Sequence, residues 1–93
     1  MPASLRVFPI ANDADMAAAQ ALREQVFVLE QGVPAALERD ALDAQCRHVL
    51  AVEADGTAVG TGRLTPDGRL GRLAVRADRR GRGIDALLRT LLE

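Results

Sequence analysis

The stretch richest in chemistry runs Leu73-Ala74-Val75-Arg76-Ala77-Asp78-Arg79-Arg80-Gly81-Arg82-Gly83-Ile84-Asp85-Ala86. An apolar strand leads into a loop of arginines and glycines, and the loop opens directly into a helix. Glycine lets the backbone come close to a ligand and adopt conformations that other residues avoid. The first amides of a helix have no internal partner and point outward, with the positive end of the helix dipole behind them. A pyrophosphate suits such a place. Arg79, Arg80 and Arg82 would add charge-assisted hydrogen bonds to it.

Two familiar phosphate-binding patterns fit this loop poorly. A P-loop needs a lysine after its second glycine, and the chain has no lysine. Gly81-x-Gly83-x-x-Ala86 could be read as a dinucleotide fingerprint. That motif belongs at the end of a strand inside a βαβ unit with an acidic residue further on, whereas five residues separate Val75 from Gly81. Charge is unevenly spread: four arginines face nine acids before Gly56, and eight face four from Gly56 on. The arginines from Arg63 to Arg82 suit either an anionic ligand or a solvated strand face. Nucleic acid is the weaker partner for them, because no aromatic residue lies between Arg63 and Arg82 for base stacking. Glu38, Asp40, Asp43 and His48 lack the tight spacing of metal ligands and read as a solvated acidic loop, with His48 a polar residue at a strand start. No metal is expected.

The elements that must position the loop follow from periodicity. Leu5 to Ile10 alternates and reads as a short strand that Pro9 confines to an edge. Asn12 or Asp13 caps a helix from Ala14 to about Gln25, with an apolar face through Ala18, Ala21, Leu22, Gln25 and Val26. Val26 to Leu29 turns β-branched, and Gly32-Val33-Pro34 interrupts the pattern. A helical turn near Ala35 to Leu37 precedes the acidic loop. His48–Ala54 and Thr57–Leu64 form a hairpin about Asp55-Gly56, and Thr65-Pro66-Asp67-Gly68 turns the chain into a third strand, Arg69–Arg76. Ile84–Leu92 is an amphipathic helix with Ile84, Leu87, Leu88 and Leu91 on one side. Strand, helix, loop, meander and helix make an α+β arrangement.

With 93 residues, 48% of them hydrophobic, the chain is a single small domain whose core holds few large anchors, since Phe8 and Phe27 are its only aromatics. The stretch from Met1 to Ile10 is too short and too polar for a signal or a span. Cys46 has no partner for a disulfide and reads as a small, half-buried residue, which fits a reducing cytoplasm.

Arg80-Gly81-Arg82-Gly83-Ile84-Asp85 resembles the Gln/Arg-x-x-Gly-x-Gly/Ala loop of the GNAT acetyltransferases, which binds the pyrophosphate of CoA. Arg72-Leu73-Ala74-Val75 resembles the strand before that loop, whose backbone pairs with the pantetheine arm. Upstream, Arg23, Val26-Phe27-Val28, Glu30-Gln31, Val33-Pro34, Glu38, Asp40, Asp43, His48 and Val59-Gly60-Thr61-Gly62-Arg63-Leu64 follow the succession of a branch of small bacterial GNAT proteins. The resemblance implies the N-terminal part of the GNAT acyl-CoA N-acyltransferase fold, an antiparallel meander with flanking helices, over residues 1–93. It implies acetyl-CoA as co-substrate and a small-molecule or peptide amine as acceptor. Leu73, Ala74, Val75, Arg80, Gly81, Arg82, Gly83, Ile84, Asp85 and Ala86 would bind the donor, helped by a main-chain N–H near Ala74 or Val75 as oxyanion donor. Glu30 would serve as a general base or amine contact, or as a salt-bridged carboxylate near a helix end.

Two departures bear on this expectation. Asp85 stands where the family has Gly or Ala, and it either faces the phosphates as a like charge or turns to solvent. Family members also continue past the helix at which this sequence closes, into a fifth strand and a fourth helix that commonly supplies a tyrosine acid, and this chain has no tyrosine. The expectation is therefore of a partial domain that is active only when another chain completes its sheet, by homodimerisation or otherwise. The alternative is a non-catalytic CoA-binding or protein-interaction module.

Overall fold

In the computed structural model, which describes residues 5–38 and 41–92, alternating apolar residues are shared between the two faces of one sheet. The strands are β1 (Arg6–Pro9), β2 (Arg47–Val52), β3 (Ala58–Leu64) and β4 (Leu70–Val75). They pair antiparallel in the order β1-β2-β3-β4, so β1 and β4 are the edges. Pro9 sits on edge strand β1, where its missing N–H costs no ladder bond. Val49 and Ala51 pack with Ile84, Leu88 and Leu92 of α3 (Ile84–Leu92). Leu50 and Val52 pack with Ala19 of α1 (Asp13–Arg23). This period of two sends successive side chains to opposite layers.

Asn12 caps α1 by accepting from the Asp15 amide at 2.8 Å, and Asp13 and Asp15 lie in the favourable first turn. The buried stripe of this helix is Ala19, Leu22, Arg23 and Val26, while Ala21 and Gln25 are exposed. Both the helix and its face thus differ from the sequence expectation. The stripe is displaced because an arginine occupies one of its positions. Past Arg23 the chain does not turn toward strand at Val26–Leu29, but continues as a π-helical segment over Glu24–Glu30. Its wider turn brings Val26 and Phe27 against Ala74 of β4. A short helix α2 (Ala35–Glu38) and a 3-10 turn (Ala41–Gln45) then lead into β2. Asp40 lies outside the described residues.

Two features shape the sheet near β4. Gly60 and Gly62 leave room for α3 and Leu73: a Cβ on Gly60 would lie 2.9 Å from Ile84 Cγ2, and one on Gly62 would lie 2.7 Å from Leu73 Cδ2. In β4 the register slips between Thr61 and Arg63, whose partners are Ala74 and Gly71, so β4 carries a bulge. Arg72 within that bulge has φ of 48°, a left-handed conformation that costs an arginine about 1–3 kcal/mol. Its Nε donates to the Glu38 carbonyl at 3.2 Å, which helps to hold it there.

Candidate functional site

Glu38 and Asp43 are held by charge. Arg23, 1% exposed, donates through Nε to the carboxylate of Glu38, itself 3% exposed. Its Nη2 reaches the Glu38 carbonyl at 3.1 Å, and its Nη1 reaches Asp43 Oδ1 at 3.0 Å. Arg63 donates to the same Asp43 oxygen at 2.8 Å, and His48 Nε2–H donates to the Asp43 carbonyl at 2.8 Å. Burial pulls the Asp43 carboxyl up, but the hydrogen bonds and charges of Arg23 and Arg63 override it and hold the carboxyl below its ordinary value. The solvated acidic loop expected at Glu38 and Asp43 is instead a buried ionic clamp. Its carboxylates face arginines from α1 and β3, which a linear reading does not bring together. His48 is buried at the start of β2 and Cys46 is half-buried. Among the described residues no three His, Cys, Asp or Glu side chains cluster as metal ligands.

Clamped in this way, Glu38 joins Phe27, Val33, Arg72 and Leu73 around a pocket of about 290 Å³. On the other side of Leu73 lies a second pocket of about 300 Å³, lined by Val26, Gln31, Leu73, Val75, Arg79, Arg80, Gly81, Ile84 and Asp85. It runs from the π-helical segment across the outer edge of β4 to the start of α3. Leu73, Val75, Arg80, Gly81, Ile84 and Asp85, all singled out in the sequence, therefore share one cavity. Ala74 is buried against Leu22 and Val26, so its side chain belongs to the packing that holds β4.

The loop itself is built for close backbone approach. Gly81 and Gly83 both have φ of +78°, where a side chain would be strained. The first bond of α3 runs from the Leu87 amide to the Gly83 carbonyl at 3.2 Å. The amides of Ile84, Asp85 and Ala86 precede it at the positive end of the helix. Arg82 and Ala86 are exposed, and Arg82 makes no ion pair among the described residues. Asp85, in the first turn of α3, is exposed and lies along the pocket.

The other arginines are committed. Arg79 holds Glu53 with both arms, Nε to Oε2 at 2.7 Å and Nη2 to Oε1 at 3.0 Å. This hydrogen bonding keeps the Glu53 carboxyl below its ordinary range and raises Arg79 in return. Arg79 thus braces the loop against Glu53, just past the end of β2, while also lining the pocket. Arg76 pairs with Asp78 at 2.9 Å. Arg80 reaches Glu30 Oε1 through Nη2 at 2.6 Å and the Val75 carbonyl through Nε at 3.1 Å. Glu30 is therefore the salt-bridged carboxylate at a helix end that the sequence allowed for. Sequence reasoning missed the pocket walls Val26 and Gln31 and the brace Glu53; none of the three carries a local signal of that role.

The four-stranded antiparallel sheet with its bulged edge strand thus presents a glycine-arginine loop and a helix start to one cavity. Residues 22–70 match the family model described as "Acetyltransferase (GNAT) domain", and the chain belongs to that family. It is 33% identical over 85 residues to YjcF of Bacillus subtilis (strain 168), an uncharacterized N-acetyltransferase, covering 88% of this chain and 60% of that protein. A crystal structure of a provisionally assigned N-acetyltransferase from Lactobacillus plantarum superposes with a TM-score of 0.85 at 34% identity, over 95% of this chain and 64% of that one. A GNAT acetyltransferase from Staphylococcus aureus Mu50 shares the fold, with a TM-score of 0.75 at 15% identity over 96% and 63%. The chain thus spans less than two thirds of the length of each of these relatives.

Proposed function

We propose that this chain transfers an acetyl group from acetyl-CoA to a primary amine, in the cytoplasm. One observation carries the reading: a single cavity joins the outer edge of β4 to the glycine-arginine loop and the N-terminus of α3. The positive-φ glycines and the outward amides of Ile84, Asp85 and Ala86 fit a pyrophosphate, with Arg80 and Arg82 as the arginines nearest that loop. Bound there, the donor supplies a carbonyl already activated as a thioester.

The rest falls to the chain. Arg76 N–H bonds to Val59 O at 2.9 Å, so ladder alternation turns the N–H and C=O of Val75 toward the open edge of β4, while those of Ala74 face β3. Of the two amides considered from sequence, that of Val75 is the one able to pair with a pantetheine arm or to meet a developing oxyanion. The pocket of Phe27, Val33, Glu38, Arg72 and Leu73 lies across Leu73 and suits the acceptor. There the amine nitrogen bonds to the carbonyl carbon, the C–S bond breaks with its electron pair going to sulfur, and the proton that nitrogen gives up ends on that sulfur, leaving an amide and the CoA thiol. Glu30 could take that proton only after release from Arg80.

Asp85 on the pocket wall favours a second reading, a CoA-binding or interaction module without turnover. The open edge of β4 would then receive a strand from a second copy or another chain. Calorimetric titration of acetyl-CoA and CoA, followed by thiol-release assays over a panel of amines, separates the cases. Binding with amine-dependent thiol release supports the transferase, binding without release supports the module, and no binding by folded protein refutes both as CoA sites.

A further inference from the structure

Three contacts converge on Arg80. Its Nη2 meets Glu30 Oε1 at 2.6 Å, its Nε donates to the Val75 carbonyl at 3.1 Å, and its side chain lines the pocket. That carbonyl is the group which ladder alternation turns to the open edge of β4, where the proposed donor arm would pair. One guanidinium therefore sits on an acceptor the arm needs, and a carboxylate from the far end of the π-helical segment keeps it there.

We infer that Glu30 and Arg80 form an anion-operated latch across the donor lane, with Glu30 as a positioning residue for Arg80. The inference rests on the donor reading above. Carboxylate and phosphate bind a guanidinium in the same charge-assisted way. A pyrophosphate reaching Gly81–Gly83 competes with Glu30 for Arg80, draws the side chain off the Val75 carbonyl and opens the lane. A thioester arm without phosphate must displace Arg80 unaided, so its affinity is lowered by the fraction of molecules already open. The two side chains are 43% and 36% exposed, and a pair this exposed shifts an equilibrium by about two- to fivefold.

The coupling can be read by supplying the two halves of the donor separately. In the full chain, S-acetylpantetheine should bind about two- to fivefold more tightly when inorganic pyrophosphate is present, and by linkage pyrophosphate should gain equally. The Glu30→Gln variant, altered at an exposed position, should bind S-acetylpantetheine with the tighter constant from the start and gain nothing from pyrophosphate. With S-acetylpantetheine bound, no promotion in the wild type, or equal promotion in the variant, overturns the latch. A second readout is independent of the thioester: the Arg80 side-chain Nε–Hε resonance, assigned with an Arg80→Lys variant, should move both on Glu30→Gln and on addition of pyrophosphate. An unmoved resonance overturns the latch. If the resonance responds while S-acetylpantetheine binds neither protein, so that promotion cannot be read, the latch stands and the donor reading fails.

Discussion

Replacing Arg23 by methionine tests the buried clamp most directly. The substitution keeps the length of the side chain and its apolar stem while removing every donor. Glu38, 3% exposed, loses the Arg23 partner of its carboxylate and a donor to its carbonyl, while Asp43 keeps Arg63 on its carboxylate and His48 on its carbonyl. Removing one partner of a buried ion pair typically costs about 3–5 kcal/mol, because the remaining charge stays desolvated. At about 0.05–0.15 kcal/mol per residue, a domain of 93 residues has roughly 5–14 kcal/mol in hand. Arg23→Met should therefore remove a large share of the stability and lower the melting temperature by roughly 12–40 °C, at about 4–8 °C per kcal/mol. Urea titration followed by far-UV circular dichroism measures the cost. Adding Glu38→Met should restore a good part of it, since the stranded charge is then gone. A loss below about 1 kcal/mol for Arg23→Met, the range of exposed pairs, would refute the clamp.

Further outcomes follow from the same geometry. Asp43 has a lowered folded pKa, so its contribution is fully present above its unfolded value of about 3.9 and is lost as pH falls through the folded value. Asp43→Asn should be less stable than wild type at neutral pH, and chemical denaturation should show the difference narrowing as pH falls through the acid range. Asp85→Gly removes a like charge from the pocket wall, so acetyl-CoA should bind about fivefold or more tightly by titration, at ~1 kcal/mol per unit pair at 4 Å in water. The same change gives up the favourable first-turn carboxylate, so stability should fall by about 0.3–1 kcal/mol. Glu53→Gln weakens the two-armed brace on Arg79; faster amide exchange at Gly81 and Gly83, with little change in the exchange of α3, is the expected result.

Much of this protein can be read along the chain, and what cannot shares a physical cause. The bounds of Ile84–Leu92 were legible to the residue, because a glycine-rich loop marks the start and leucines recur at helical spacing, but Leu87, read onto the apolar side, is exposed and Leu92 is buried instead. The strands were legible within a residue or two for the same reason of period. The π-helical segment was not, since Val26-Phe27-Val28 has strand-like composition and only packing against Ala74 makes it helical. The stripe on α1 was misplaced because Arg23 lies inside it, and an arginine is buried only when acids come to meet it. Those acids lie 15 and 20 residues away in sequence, and the partner of Arg80 lies 50 away, so no local pattern announces them. The glycine-arginine loop was recognisable because its residue types are local; which arginines are braced and which face the cavity depends on Glu30 and Glu53.

The cations around the proposed thioester lane are all guanidinium groups. Arg79 and Arg80 line the cavity, Arg82 lies in the loop beside it, and these 93 residues contain no lysine. A guanidinium keeps its proton at any accessible pH and offers no lone pair for attack, whereas an ammonium becomes a nucleophile once it is deprotonated. An activated acyl group can thus rest beside these positive charges without being captured by any of them. Incubated with acetyl-CoA, the chain should take up no acetyl group on a guanidinium nitrogen. Any covalent mass gain would point to the Cys46 thiol, the amino terminus or, through a hydrolysable acyl-imidazole, His48, so intact-protein mass gives a low background against which acetylation of an added amine can be seen.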